Sequence, residues 1–123
     1  MEKIDTSKTT NRTEYVAGAH IFSGRPDPVW ILNETVTANL LALWNSMPRY
    51  SGATTPPPPH GYRGCFMCAP SGSEWLAYRG VVSLRTPAGP DQRRDDGRRF
   101  ERELIKTAPA GELPPQFLLA EFD

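Results

Sequence analysis

Phe22-Ser23-Gly24-Arg25-Pro26-Asp27-Pro28-Val29-Trp30 predicts a sharp and stiff turn near the start of the chain. Its glycine can adopt a positive φ, and its two prolines fix φ and remove two backbone donors. The residues that precede the prolines are biased towards extended geometry. We call residues 22–30 the corner, and the rest of the fold is predicted outward from it.

A strand is expected on each side of the corner. Glu14–Phe22 alternates along two apolar faces, which is typical of a central strand. Val29–Leu32 leaves the corner as a short second strand, antiparallel to the first. Asn33 then caps a helix that ends at Pro48, because apolar side chains recur there at helical spacing. That stripe consists of Val36, Leu40, Leu43, Trp44 and Met47.

The second half of the chain is expected to repeat this order after a proline-rich connector at residues 49–61. Within the connector, residues 56–59 are four consecutive prolines, which predict an extended polyproline II segment. Tyr62–Cys68 and Trp75–Leu84 are predicted to form a hairpin of two strands, followed by a loop at Thr86–Gln92.

A charged helix should follow that loop, and a short turn should end the chain. Asp95 or Asp96 is the predicted cap of the helix, which runs to about Thr107. The side chains of this helix that are expected to face inward are Phe100, Leu104 and Ile105. Those expected to face water are Arg98, Arg99, Glu101 and Arg102. In the last turn, the side chains expected to dock on the core are Phe117, Leu118 and Phe122.

These elements predict an α+β fold with the order ββα-ββα. A small antiparallel sheet of four strands with both helices packed on one face would bury the apolar stripes. Residues 1–12 are polar and predict a disordered N-terminal segment. Residues 13–123 are expected to form a single domain, since a chain of 123 residues is too short for two ordinary cores.

Charge and hydropathy narrow the class of partner. The chain carries 14 basic and 14 acidic residues and has no net charge, which disfavours nucleic acid as a partner. It has no apolar run long enough to span a membrane, and its first dozen residues lack the apolar stretch of a signal peptide. We therefore expect a soluble protein with no membrane partner, and the cytoplasm is the favoured compartment.

The corner also carries ligand-binding chemistry. Arg25 offers a planar fork for carboxylates or phosphates, and Trp30 offers a flat face for stacking. The alternative is that the same arginine pairs with Asp27 or with a carbonyl and only holds the turn. The predicted ligand-binding residues are Ser23, Arg25, Asp27, Trp30, Tyr62 and Arg63.

Cys65 and Cys68 form a Cys-x-x-Cys motif, which in other settings is a redox pair or half of a zinc site. Here no second pair completes four ligands, and His20 and His60 are the only histidines. Residues three apart in a strand point to opposite faces, so the motif is expected to be structural. We predict no metal, no cofactor and no catalytic residue. The alternative is a small metal-dependent or thiol enzyme that uses these four residues.

Three stretches of the chain are similar to a group of small uncharacterised proteins. They are the corner, Gly61-Tyr62-Arg63-Gly64 and Arg98-Arg99-Phe100-Glu101-Arg102. The group shares a Ser-Gly-Arg-Pro-x-Pro-x-Trp corner, a helix that ends at proline, a Gly-Tyr-Arg-Gly strand and a late charged helix. The likeness covers roughly residues 20–108. It implies a common fold unit and no particular activity.

The leading hypothesis for function is a non-enzymatic binding or interaction module. It would recognise a small anionic ligand or a partner protein through the corner and the adjacent Tyr62-Arg63. A homo-oligomer is compatible with the sequence, because Trp75 and residues 117–122 offer apolar surface beyond the needs of one core.

Overall fold

An antiparallel sheet is the frame of the computed structural model, which describes residues 14–22, 26–54, 56–59 and 61–122. Within that part of the chain the sheet has six strands, in the order β2-β1-β3-β4-β5-β6. The strands are β1 Tyr15–Ala19, β2 Val29–Leu32, β3 Cys65–Cys68, β4 Glu74–Tyr78, β5 Val81–Thr86 and β6 Gly89–Arg94. As predicted, β1 is a central strand and pairs with β2 across the corner.

Three helices accompany the sheet in the described residues: α1 Glu34–Ser46, α2 Arg99–Lys106 and α3 Pro115–Phe122. The predicted cap of α1 is confirmed, since the side-chain oxygen of Asn33 accepts a hydrogen bond of 2.8 Å from the N–H of Val36. None of the described helices has the length and apolarity needed to cross a membrane.

The core lies where the helices meet one face of the sheet. Inward-pointing strand residues such as Ala17 and Met67 share a buried cluster with Leu40 of α1 and Phe100 of α2. Alternation along each strand leaves the next residue pointing away from this core. The α+β class is therefore confirmed, and apolar burial against the helices holds it together.

The predicted ββα-ββα order and the four-stranded sheet are wrong, because four strands and not two follow α1. Trp75–Leu84 was predicted as one strand, but the chain reverses at Arg79 and Gly80, whose φ angles are 47° and 98°. This tight turn separates β4 from β5. The predicted loop at Thr86–Gln92 is also wrong in part, because a turn there leads directly into β6.

The start of the proline-rich connector is attached to the sheet. The N–H of Tyr50 donates to Gln92 O at 2.9 Å, and the N–H of Arg94 donates to Pro48 O at 2.9 Å. Beyond this attachment, residues 51–54 and 56–59 are exposed and form no helix or strand. The predicted disordered segment at residues 1–12 lies outside the described residues.

The second half of the chain contains one further correction. Glu101 was predicted to face water, but its exposed fraction is 0%. Asp95 is buried with it and accepts hydrogen bonds from the N–H groups of Phe100 and Glu101, at 2.8 and 3.0 Å. The predicted helix start is therefore wrong in part, because a 3-10 turn at Asp96–Arg98 precedes α2, which begins at Arg99. Asp95 still satisfies donors that the first turn of α2 leaves unpaired.

Candidate functional site

Asp27 organises the described part of the corner. One carboxylate oxygen accepts hydrogen bonds from the N–H groups of Ile21 and Phe22, at 3.0 and 2.8 Å. The other oxygen lies 3.0 Å from Nδ1 of His20. Burial raises the pKa of Asp27, but the hydrogen bonds from Phe22 and His20 outweigh it and hold the pKa below its usual value. The side chain is therefore a carboxylate at neutral pH.

His20 follows β1 directly and is fixed on three sides. Its backbone N–H donates to Gly64 O at 2.8 Å, and its ring packs on the Phe66 ring with 4.6 Å between ring centroids. The contact between Nδ1 and Asp27 fixes the orientation of the ring. The ring is partly exposed, and Nε2 has no partner among the described residues. This nitrogen is available to a ligand.

Arg63 closes the cluster from the segment that precedes β3. Its backbone N–H donates to His20 O at 2.8 Å, and its guanidinium Nη2 donates to Phe22 O at 2.9 Å. The same Nη2 lies 3.9 Å from the carboxylate oxygen of Asp27 that His20 contacts. We call His20, Asp27 and Arg63 the corner cluster.

The corner cluster combines one cation, one carboxylate and one imidazole. Arg63 is always cationic, and His20 adds a second positive charge when it is protonated. Asp27 supplies one negative charge. Its carboxylate already contacts four groups, which are the backbone N–H groups of Ile21 and Phe22, the imidazole of His20 and the guanidinium of Arg63. All three side chains are partly exposed, so an oxyanion can approach from solvent.

The structure places the predicted site residues in different surroundings. Asp27 and Arg63 come together in the corner cluster, although 36 residues separate them in the sequence. Trp30 is buried, and its indole N–H donates to Oγ1 of Thr107 at 2.8 Å. Tyr62 is also buried. Neither aromatic ring therefore offers a stacking face at the corner surface. Ser23 and Arg25 lie outside the described residues.

His20 is the member of the cluster that the predicted ligand-binding set lacks. The sequence does contain a signal for it, because a histidine seven residues before an aspartate flanks the same turn. That signal is weak, since a histidine at the end of an apolar strand is more often a packed residue than a ligand contact. Only the closure of the turn by Asp27 brings the two side chains together.

Tyr62 belongs to a second polar network, centred on the buried carboxylate of Glu101. The carboxylate of Glu101 accepts hydrogen bonds from the Tyr62 hydroxyl, from the N–H of Arg79 at 2.9 Å and from two guanidinium nitrogens of Arg98 at 3.0 Å each. Burial raises the pKa of Tyr62, and the nearby carboxylate of Glu101 adds to it. The hydroxyl therefore stays protonated and acts as a donor.

The cysteine motif does not form a site in the described structure. Cys65 points into the core and Cys68 points to the opposite face, as the strand spacing predicts. Burial raises the pKa of Cys65, and the nearby Glu101 carboxylate adds to it. His20 packs on Phe66, so it lies on the face opposite Cys65. No group of three metal-binding side chains occurs among the described residues, which do not include His60.

The two polar networks thus differ in what they can do. Glu101 and Tyr62 are buried and hydrogen-bonded to each other, which is typical of a structural network. The corner cluster is open to solvent and presents two nitrogen-bearing side chains beside an oriented carboxylate. Comparison of the chain with protein-family models, with curated proteins and with solved structures finds no match.

Proposed function

We propose that the chain is a binding module whose corner recognises a small oxyanion, a carboxylate or a phosphate group. The observation that carries the proposal is the convergence of His20 and Arg63 on one carboxylate oxygen of Asp27, at 3.0 and 3.9 Å. Both side chains are thereby held in place before a ligand arrives. Preorganised donors of this kind bind anions with less loss of side-chain entropy.

In this proposal Asp27 positions the other groups and does not contact the ligand. Its oxygens are already engaged by Ile21, Phe22 and His20. Those contacts keep Nδ1 of the imidazole turned inward and leave Nε2 for the ligand. A carboxylate in this position also lowers affinity for a wrongly placed anion, because like charges repel.

Arg25 remains part of the proposal as a second guanidinium at the corner, and Ser23 as a hydroxyl donor. Both stand in the sequence between Phe22 and Asp27. Two guanidinium groups and an imidazole would contact separate oxygens of one phosphate, and a carboxylate would engage two of the three groups. The ligand would be small or would be an acidic group on a partner protein.

The test is a titration with inorganic phosphate and with acetate at constant ionic strength, followed by backbone amide chemical shifts. We expect saturable shifts at residues 20–28 and 61–64. Arg25→Ala and Arg63→Ala should each weaken the affinity about tenfold, or ~1.4 kcal/mol. Arg25→Ala should also leave the melting temperature within a few degrees.

Arg85→Ala is the matched control, because Arg85 is an exposed arginine on β5, away from the corner. It should bind phosphate as the unmodified chain does. Equal losses in all three variants, or no saturable shift at the corner, would refute the proposal. A large loss of stability in Arg25→Ala with affinity intact would show that this arginine only holds the turn.

A further inference from the structure

The contact between His20 and Asp27 determines which ring nitrogen of the neutral imidazole carries the proton. Nδ1 of His20 lies 3.0 Å from a carboxylate oxygen of Asp27. Burial raises the pKa of Asp27, but hydrogen bonds from Phe22, His20 and Ile21 hold it below its usual value, so the carboxylate is ionised at neutral pH. An ionised carboxylate can only accept hydrogen bonds, and the proton of this contact must therefore lie on Nδ1.

The other ring nitrogen, Nε2, is left as an acceptor. A neutral imidazole has one donor nitrogen and one acceptor nitrogen, and Asp27 already engages the donor. Nε2 has no partner among the described residues, and the side chain of His20 is 36% exposed. The neutral ring can therefore accept a hydrogen bond from a ligand through Nε2, but it cannot donate one.

The net charge of the corner cluster depends on the same nitrogen. Nη2 of Arg63 lies 3.9 Å from the carboxylate oxygen that His20 contacts, and the charges of Arg63 and Asp27 offset each other. The other described neighbours of the imidazole are the backbone of Gly64 and the ring of Phe66, which are uncharged. The cluster is therefore neutral overall until Nε2 takes up a proton, and it then carries one positive charge.

We propose that His20 makes the corner selective for an oxyanion that brings its own proton, namely hydrogen phosphate or a singly protonated phosphate ester. The O–H of the ligand would donate to the lone pair of Nε2, while other oxygens of the ligand accept from the guanidinium of Arg63. In the complex one proton lies between the ligand oxygen and Nε2. This inference rests on the proposed function and names the ligand class of the same site.

Sulfate is the anion that tests this selectivity. It matches hydrogen phosphate in charge and in tetrahedral shape, but it has no proton near neutral pH. A sulfate oxygen would face the lone pair of Nε2 as one acceptor faces another, so His20 must first take up a proton from solvent. A site that hydrogen-bonds a ligand hydroxyl rejects the analogue without it, because a polar group is left unpaired.

The experiment is a titration of the unmodified chain with inorganic phosphate, sulfate and methyl phosphate at constant ionic strength, followed by backbone amide chemical shifts. At about pH 8 we expect inorganic phosphate to bind at least about tenfold more tightly than sulfate. Sulfate affinity should rise at least about tenfold on acidification to about pH 5.5, because histidines protonate in this range.

Methyl phosphate separates the two sources of the phosphate group. A phosphate ester loses its last proton at a pKa of about 6, whereas inorganic phosphate keeps one proton at about pH 8. Methyl phosphate should therefore bind as weakly as sulfate at about pH 8 and gain affinity on acidification. A site for phosphate esters would thus be used near or below neutral pH, and a site for free phosphate at higher pH as well.

Asp27→Asn tests whether the carboxylate sets the selectivity. An asparagine amide can donate to Nδ1, which allows the neutral ring of His20 to carry its proton on Nε2 and to donate to either anion. We expect the ratio of phosphate to sulfate affinity at about pH 8 to fall to about one. Because the two anions have the same charge, the ratio is insensitive to the charge that this variant removes.

His20→Gln provides a second test, and His60→Gln is its matched control at the other histidine of the chain. A glutamine amide can donate as well as accept, so His20→Gln should also bring the ratio to about one. His60→Gln should leave the ratio unchanged. The nitrogen chemical shifts of the His20 imidazole measure the tautomer directly. At about pH 8 they should show a protonated Nδ1 in the unmodified chain and a protonated Nε2 in Asp27→Asn.

Four outcomes would overturn the inference. They are equal binding of phosphate and sulfate at about pH 8, a neutral His20 that carries its proton on Nε2, a ratio that both Asp27→Asn and His20→Gln leave intact, and a loss of the ratio in His60→Gln. Equal binding of the two anions at the corner would leave the proposed function standing. The absence of saturable binding by any of the three anions at either pH would refute the proposed function together with this inference.

Discussion

The hydroxyl of Tyr62 donates a hydrogen bond to the carboxylate of Glu101, and both residues are buried although 39 positions separate them. The same carboxylate accepts the N–H of Arg79 and pairs with the guanidinium of Arg98. One acidic group therefore joins the segment before β3, the turn between β4 and β5, and the start of α2.

Replacement of Glu101 by glutamine should destabilise the protein strongly. The carboxylate of Glu101 is fully buried and accepts hydrogen bonds from Tyr62, Arg79 and Arg98, so a neutral amide in its place should cost ~1–3 kcal/mol in the free energy of unfolding. Tyr62→Phe is the milder comparison, because it removes one hydrogen bond and keeps the ring packing. Urea denaturation measures both. A change of less than ~0.5 kcal/mol in Glu101→Gln would show that the carboxylate is not needed for stability.

Trp30→Phe should lower stability modestly and leave anion affinity unchanged. The phenyl ring keeps most of the core packing, while the hydrogen bond from the indole N–H to Thr107 is lost, at a cost of ~1 kcal/mol. Thermal unfolding and the phosphate titration measure the two effects separately. A tenfold loss of affinity in a variant of normal stability would mean that the indole contacts the ligand.

Asp27→Asn should make the protein less sensitive to acid. The pKa of Asp27 is depressed in the folded state, so its contribution to stability is present above the usual pKa of 3.8 and is lost as the pH falls through the folded-state value. The variant lacks this contribution at every pH. Its melting temperature should therefore be lower at pH 7 and should approach that of the unmodified chain as the pH falls below 3.8.

Asp96→Asn is the control for that experiment, because the Asp96 side chain is 85% exposed. Burial raises the pKa of Asp95, so its effect on stability changes with pH in the opposite direction. Asp95 is present in the variants and in the unmodified chain, and its contribution therefore cancels when their melting temperatures are compared. Parallel curves for Asp27→Asn and the unmodified chain would mean that the carboxylate does not stabilise the corner.

The two cysteines should react with thiol reagents at very different rates. Burial raises the pKa of Cys68, and Glu74 adds to it, yet the side chain is partly exposed and can be reached. Cys65 is fully buried and should react only when the protein unfolds. Labelling with Ellman's reagent before and after denaturant should count one thiol and then two. Equal rates in the folded protein would mean that the core opens readily.

The first half of the fold follows from local signals, and the second half does not. Asn33 and Pro48 bound α1 through capping and ring geometry, which are properties of neighbouring residues. The turn at Arg79 and Gly80 was not predicted, because apolar residues continue on both sides of it, as they would in one long strand. Pro90 suggested a loop, but a proline is tolerated in β6 because that strand ends the sheet.

The candidate site was predictable only in part, for a related reason. Asp27 and Arg63 stand out by residue type, and the fold brings them together. Trp30 and Tyr62 stand out by the same criterion, but an aromatic ring suits a core as well as a ligand surface. Burial depends on which strands become neighbours, and the placement of β3 beside β1 is a long-range pairing that local sequence does not specify.

The pairing of β1 with β3 also determines how the chain would respond to a cut in the connector. Residues 51–54 and 56–59 are exposed, and they join two stretches that already share a sheet through contacts such as Ala17 opposite Met67. A protease that nicks this connector would leave two fragments still held by backbone hydrogen bonds and a common core. The same position would accept new termini in a circular permutant, because the covalent link there contributes little beyond proximity.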